Sequence, residues 1–154
     1  MKPIKFSCKE TLDLAPEEIA RQILDVTNWL NFKGFGPLPG IRVSVFEVRA
    51  PNIVGSRIRV TNTDGSKHVE EIVEWQPDRR RQLSMKDFST PFSRLATGVE
   101  ETREFERVGD ETKVTRSFQM HAKFVLTRPL LWMISFFLKK AVSRHLRETS
   151  CSTQ

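Results

Sequence analysis

The sequence predicts an α+β domain in which helices cover one face of a curved antiparallel sheet. Three observations carry this. Apolar residues recur at every second position through successive segments between Arg42 and Phe124, with short turn sequences between them. Helical spacing occurs only outside that region, over residues 16–30 and from Pro129 to about Arg147. No repeat, low-complexity tract or linker divides the 154 residues, so one domain spanning 1–154 is expected.

Taken in order, residues 3–14 alternate through Ile4, Phe6, Cys8, Leu12 and Leu14 and read as a first strand. Ala15-Pro16-Glu17-Glu18 opens a helix: proline suits the first helical position, and two glutamates sit at the positive end of the dipole. Ile19, Ile23, Val26 and Leu30 continue it, and the glycine- and proline-rich 34–40 segment ends it in a loop. Strands are expected over 42–50, 55–63, 67–76, 79–88, 97–108 and 111–124, about seven in all with the first. Asn62-Thr63-Asp64-Gly65-Ser66, Pro77-Asp78 and Gly109-Asp110 supply tight turns, and 89–96, with Pro91, is a loop. A long helix follows, and residues from about 149 to 154 are expected to be disordered.

Charge is unevenly spread. The chain holds 25 Lys and Arg against 19 Asp and Glu, a net of +6. Residues 1–76 are neutral, whereas 123–148 carry Lys123, Arg128, Lys139, Lys140, Arg144 and Arg147 against Glu148. With 38% hydrophobic and 29% charged residues the composition is neither disordered nor that of a membrane protein. The longest apolar run, 130–138, is about half of the ~20 residues a membrane span needs. The N-terminus lacks the apolar run of a signal peptide. Cys8 and Cys151, far apart, make no disulfide framework, and a reducing, cytoplasmic setting is expected, with peripheral membrane contact left open. Three His and no Tyr leave few groups for proton transfer near neutral pH.

Several short motifs fall in an order that resembles the START/Bet v 1-like (SRPBCC) superfamily, in particular its polyketide cyclase/dehydrase and coenzyme Q-binding-like branch. They are Ala15-Pro16-Glu17-Glu18 opening the first helix, Asp25 and Trp29 at its end, and Val54-Gly55-Ser56-Arg57 at a strand start. Glu74-Trp75-Gln76-Pro77-Asp78-Arg79-Arg80 at a turn and Gly109-Asp110-Glu111-Thr112-Lys113-Val114-Thr115 at a hairpin complete the set. The likeness covers nearly the whole chain. It departs after Trp29, where a Gly/Pro loop stands in place of the usual second short helix, and at the turn, which has one proline instead of two. The resemblance implies a helix-grip fold, with the sheet wrapped around the C-terminal helix and a cavity between them. Members of the superfamily hold lipids, sterols, quinones, polyketides or plant hormones, so it implies a pocket without implying a reaction.

Alternation assigns the pocket face. Ile58 and Val60, Leu83 and Met85, Val99 and Phe105, and Val114, Phe118 and Met120 point inward. On 67–76, Val69, Val73 and Trp75 share a face with Glu71, although Ile72 lies opposite. Glu101 and Arg103 share the face of Val99, and Arg116 that of Phe118. Four charges, Glu71, Glu101, Arg103 and Arg116, are thus threaded into apolar faces, where an unpaired charge is too costly to keep. Either they form structural ion pairs, or Arg103 and Arg116 orient a polar group of a mostly apolar ligand, for which the guanidinium fork is suited.

On the C-terminal helix Leu130, Leu131, Ile134, Phe137, Leu138, Ala141 and Val142 fall in one arc, with His145 near its middle. His145 is either a hydrogen-bonded residue at the helix end or a pocket contact. Trp132, Met133 and Phe136 lie opposite, beside Lys139 and Lys140. They form a membrane-contact face, or are covered by a loop or a dimer mate. No dinucleotide fingerprint, P-loop, nucleophile elbow or His-Glu-x-x-His occurs. His68 and His121 have no carboxylate at ligand spacing, so neither metal nor cofactor is expected. Cys8 reads as core. Arg79-Arg80-Arg81 reads as a solvated edge and, without stacking aromatics, gives no case for nucleic acid.

The leading expectation is a non-catalytic binder or carrier of a small hydrophobic or amphipathic molecule. Its wall would include Ile58, Val60, Val73, Trp75, Leu83, Met85, Val99, Glu101, Arg103, Phe105, Arg116, Phe118, Met120, Ile134 and Leu138. The alternatives are a cyclase/aromatase-like enzyme using Glu71, Glu101 or His145 for proton transfer, and an interaction module using the Trp132/Phe136 face.

Overall fold

A computed structural model describes residues 1–152 of the chain, the side chains of the last three excepted. The first strand, β1, runs Ile4–Leu12, and helix α1 runs Pro16–Leu24. Six strands follow: β2 (Ile41–Val48), β3 (Arg57–Asn62), β4 (Lys67–Gln76), β5 (Arg80–Lys86), β6 (Ala96–Val108) and β7 (Glu111–Ala122). Helix α2, Arg128–Ser152, closes the chain. All seven strands form one antiparallel sheet in the order β1-β7-β6-β5-β4-β3-β2. Strands β2 to β7 are a meander, and β1 returns to the β7 edge. Helix α2 covers the β1 side: Leu131, Val142 and Leu146 are buried there. Cys8 is buried between the two elements, taking a hydrogen bond from Ser143 Oγ at 3.2 Å and donating to the Lys139 carbonyl. The disorder expected from about residue 149 falls partly on 153 and 154, outside the described residues, while the helix itself is described to Ser152.

The first helix is shorter than its apolar spacing suggests. Asp25 leaves the helix with extended geometry and accepts from Thr27 N at 3.1 Å and Thr27 Oγ1 at 2.5 Å. That cap starts a separate 3₁₀ helix, Val26–Asn31, which carries Trp29, and the segment after it, residues 32–40, is loop. Trp29 Nε1 donates to the Ile23 carbonyl at 2.9 Å and pins the two segments together. Beyond them, Gly34 has φ +76°, and a Cβ there would lie 2.2 Å from the Leu38 carbonyl oxygen. Only glycine allows this loop to fold back on itself.

Two apolar clusters pack under the sheet. One joins β1, β6 and β7 to α1 and α2 through Leu12, Ile19, Ile23, Val99, Phe118, Met120 and Leu131. The other is Ile58, Val60, Ile72 and Leu83, packed against Leu24, Val26 and Trp29.

Candidate ligand-binding cavity

Between the sheet and α2 lies a cavity of about 620 Å³. Its walls are apolar for the most part: Leu12, Ile19 and Ile23 from the first two elements, Leu83, Met85, Val99, Val114, Phe118 and Met120 from the sheet. Ile134, Phe137, Leu138, Val142 and Leu146 of α2 and Trp29 and Phe32 of the second turn complete them. It reaches the surface among Pro37, Asp64, Lys67 and Pro91, all exposed, next to Met133 and Phe137 of the helix.

The polar part of the wall is concentrated on β6, β7 and α2. Regular alternation beyond an irregularity between Ala96 and Gly98 places Glu101 and Arg103 of β6 and Arg116 of β7 on the inner face. Glu101 is 1% exposed and accepts from both arginines, from Arg103 Nε at 2.7 Å and from Arg116 Nη2. Arg116 also approaches His145 Nδ1 at 3.4 Å through Nη1. A guanidinium has only donors, so Nδ1 is the acceptor and the imidazole proton sits on Nε2. Burial alone would raise the Glu101 carboxyl, but Arg103 and Arg116 outweigh it and hold it down at about 2. Burial, then the positive charges of Arg116 and Arg103, push His145 down to about 3, so it is neutral at physiological pH. Arg116 is itself lowered, chiefly by burial and by Arg103.

A second polar pair sits on β4. His68 Nε2 lies 3.7 Å from Glu70 Oε2; both line the cavity, and the His68 ring stacks on Phe88 at 5.4 Å. Simple alternation assigns this face to Glu71 and Val73. A bulge between Ile72 and Glu74 places His68, Glu70 and Ile72 inward and Trp75 inward beyond it. Glu71 faces outward and pairs with Lys86 at 2.9 Å, and Val73 is 37% exposed, so neither belongs to the site. His121, on β7, lies 3.7 Å from Glu100. Among the described residues, however, no three such groups converge as a metal site would need.

Other inward residues are core, not cavity wall. Ile58 and Val60 are sealed in the second cluster, and Trp75 and Phe105 enclose a residue that the sequence pattern places at the surface. Arg81 is buried, its guanidinium 4.0 Å from the Phe105 ring centroid and 5.0 Å from that of Trp75, with Nη2 donating to the carbonyls of Pro16 and Pro77. It is no solvated edge; it clamps the start of α1 to the sheet. Burial, with Arg103 adding to it, pulls Arg81 down to about 9, and it stays charged at neutral pH. Its inward position follows from counting back from Leu83 and Met85, a signal that the triple-arginine run obscures. On α2, Leu130 is exposed, at the edge of the apolar arc.

The architecture matches solved structures over almost its full length. A protein of Thermus thermophilus superposes with a TM-score of 0.72 at 14% identity, over 98% of this chain and 99% of that one. A START superfamily protein from Mycobacterium smegmatis gives 0.71 at 12% identity, over 97% and 99%. Ginseng major latex-like protein 151 from Panax ginseng gives 0.67 at 14%, over 97% and 99%. The fold is START/Bet v 1-like. No family model and no curated protein matches the sequence. In helix-grip terms, β1–β7 are the hand and α2 the gripped helix, and the cavity fills the space expected between them.

Proposed function

We propose that this chain binds, or carries between locations, a small hydrophobic or amphipathic molecule of lipid, quinone or polyketide-like character. The cavity supports this most directly. Protein interiors close-pack and leave few voids larger than a water molecule. A 620 Å³ space with mainly apolar walls and a few convergent polar groups is instead the size and make-up of a small-molecule site. Native mass spectrometry of the purified protein should show an adduct that organic solvent removes. A bare protein whose melting temperature no amphiphile raises would count against the reading, since a ligand that binds only the folded state must stabilise it.

Binding is favoured over cyclase chemistry by the state of the proton-transfer candidates. General acid–base catalysis works best with a group poised near the working pH. Glu101, at about 2, and His145, at about 3, are far from that, and Glu71 faces outward.

Peripheral membrane contact is a second reading, favoured by one surface. Phe124, Val125 and Leu126 before α2 are exposed, Leu126 at 92%, as are Leu130, Trp132 (66%), Met133 and Phe136 on the helix. Lys140 Nζ lies 5.5 Å from the Phe136 ring centroid, and Lys139 is beside it. An exposed apolar face with adjacent cations suits an anionic bilayer, and Met133 belongs both to it and to the cavity wall. Among the described residues no helix is long and apolar enough to cross a membrane. Vesicles containing phosphatidylserine should sediment the wild type but not a Trp132→Ser/Phe136→Ser variant. Equal sedimentation would sink this reading, and a shift from dimer to monomer in the variant would point to a second copy as the occupant.

A further inference from the structure

Cross-strand register lines up three arginines. Arg81 of β5 is directly opposite Arg103 of β6, and Arg103 directly opposite Arg116 of β7. Like charges facing each other across a sheet are destabilising, and all three side chains point inward. Arg81 is already anchored to two backbone carbonyls. Arg103 and Arg116 line the cavity and share one carboxylate, Glu101, one pleat further along. Two guanidiniums bring about ten N–H donors to a carboxylate with about four acceptor sites and one imidazole nitrogen. The shortfall is visible: Arg116, 5% exposed, has its Nε buried without a partner. Among the described residues no hydrogen bond engages the terminal amino groups of Arg103, whose side chain is 19% exposed. Glu70, another carboxylate of the cavity wall, is two strands from β6 and level with Val99, four residues along from Arg103, and has His68 as its partner.

We propose that this arginine row holds the anionic head of the bound molecule, a carboxylate or a group of like charge and shape, with the apolar body lying in the cavity. Arg103 and Arg116 make the contact, and Arg81 adds positive field from behind. This rests on the binding reading above and narrows its ligand class from amphipathic to anionic. The missing acceptors are supplied by an oxyanion, for which a guanidinium fork is the fitting partner. Neutral His145 marks the end of the row on α2 and adds no charge of its own.

The test is calorimetric titration with two matched pairs, decanoic acid against decanol and 2-naphthoic acid against 2-naphthalenemethanol, which separate acyl from aromatic bodies. In the wild type at least one acid should bind tenfold or more tightly than its alcohol. Arg103→Gln should reduce that preference several-fold, and Glu101→Gln, which adds a net positive charge, should increase it. The wild-type comparison needs no variant, so misfolding of either substitution leaves the result decisive. Equal affinity within both pairs overturns the anionic head while leaving the cavity-binding reading intact. No binding of any of the four overturns both.

Discussion

The cavity has two polar ends built in opposite ways. On β6, β7 and α2 the polar groups are mostly fixed charges, two guanidiniums and a carboxylate held at about 2, interlocked by several hydrogen bonds. On β4, close to the exposed turn that carries Asp64 and Lys67, there is one histidine and one glutamate joined by a single 3.7 Å contact. The first end is a rigid field with a surplus of donors. The second is a loosely held pair that a ligand hydroxyl or amide can enter without breaking a network. The two therefore differ in what removal of one member costs. A partner deleted from an interlocked buried set leaves an uncompensated charge behind, whereas the β4 pair has little to lose.

The sharpest way to break the contrast is to truncate one carboxylate from each end. Glu101→Ala strands Arg116 in the interior and should cost about 3–5 kcal/mol in urea unfolding, while Glu70→Gln, which keeps the buried side chain's shape and an acceptor toward His68, should cost only about 1 kcal/mol. Similar costs for both would mean the arginine end is not an interlocked unit.

Acidification probes the same difference. His145 titrates at about 3 in the folded protein against 6.5 when unperturbed, so below pH 6.5 the unfolded chain takes up a proton that the native state refuses. Glu101, lowered from 4.5 to about 2, acts in the same direction below pH 4.5. Stability should be full above pH 6.5, fall by roughly 2 kcal/mol toward pH 4.5 through His145, and fall further through Glu101. His145→Asn should flatten the upper part of that curve and leave the lower part. An unchanged curve in the variant would show that His145 is not the group responsible.

The smallest stability effect belongs to the outer face of α2. Trp132→Ser/Phe136→Ser should leave the unfolding free energy within about 0.5 kcal/mol per site, because neither side chain supports the core. A large loss would mean that this face is covered in the folded protein.

How much of this is legible in the sequence depends on the strand. On β6 from Gly98 to Val108 and along β7, the register runs without a break around Glu101, Arg103 and Arg116, and the inner face is where alternation puts it. On β4, Val69, Ile72 and Val73 make both faces apolar, and nothing local reveals the extra residue between Ile72 and Glu74. One slipped residue exchanges Glu71 for Glu70. Arg81 escapes a sequence reading because its charge argues against its place in the period. That place depends on Phe105 of β6, the Pro16 carbonyl of α1, and Trp75 and the Pro77 carbonyl at the end of β4, which are brought to it from three different parts of the chain.

The sequence by itself determined the element order, the α+β class and the faces of the regular strands, since side-chain periodicity is local and survives in any well-packed context. The tertiary structure decided which inward residues meet a void and which meet another residue. Ile58, Val60 and Phe105 are inward but sealed, whereas Met85, Val99 and Ile134 border the cavity. A cavity is the mismatch between surfaces distant along the chain, here a curved sheet and the one helix laid against its β1 side. No period within either element records how far apart they come to rest.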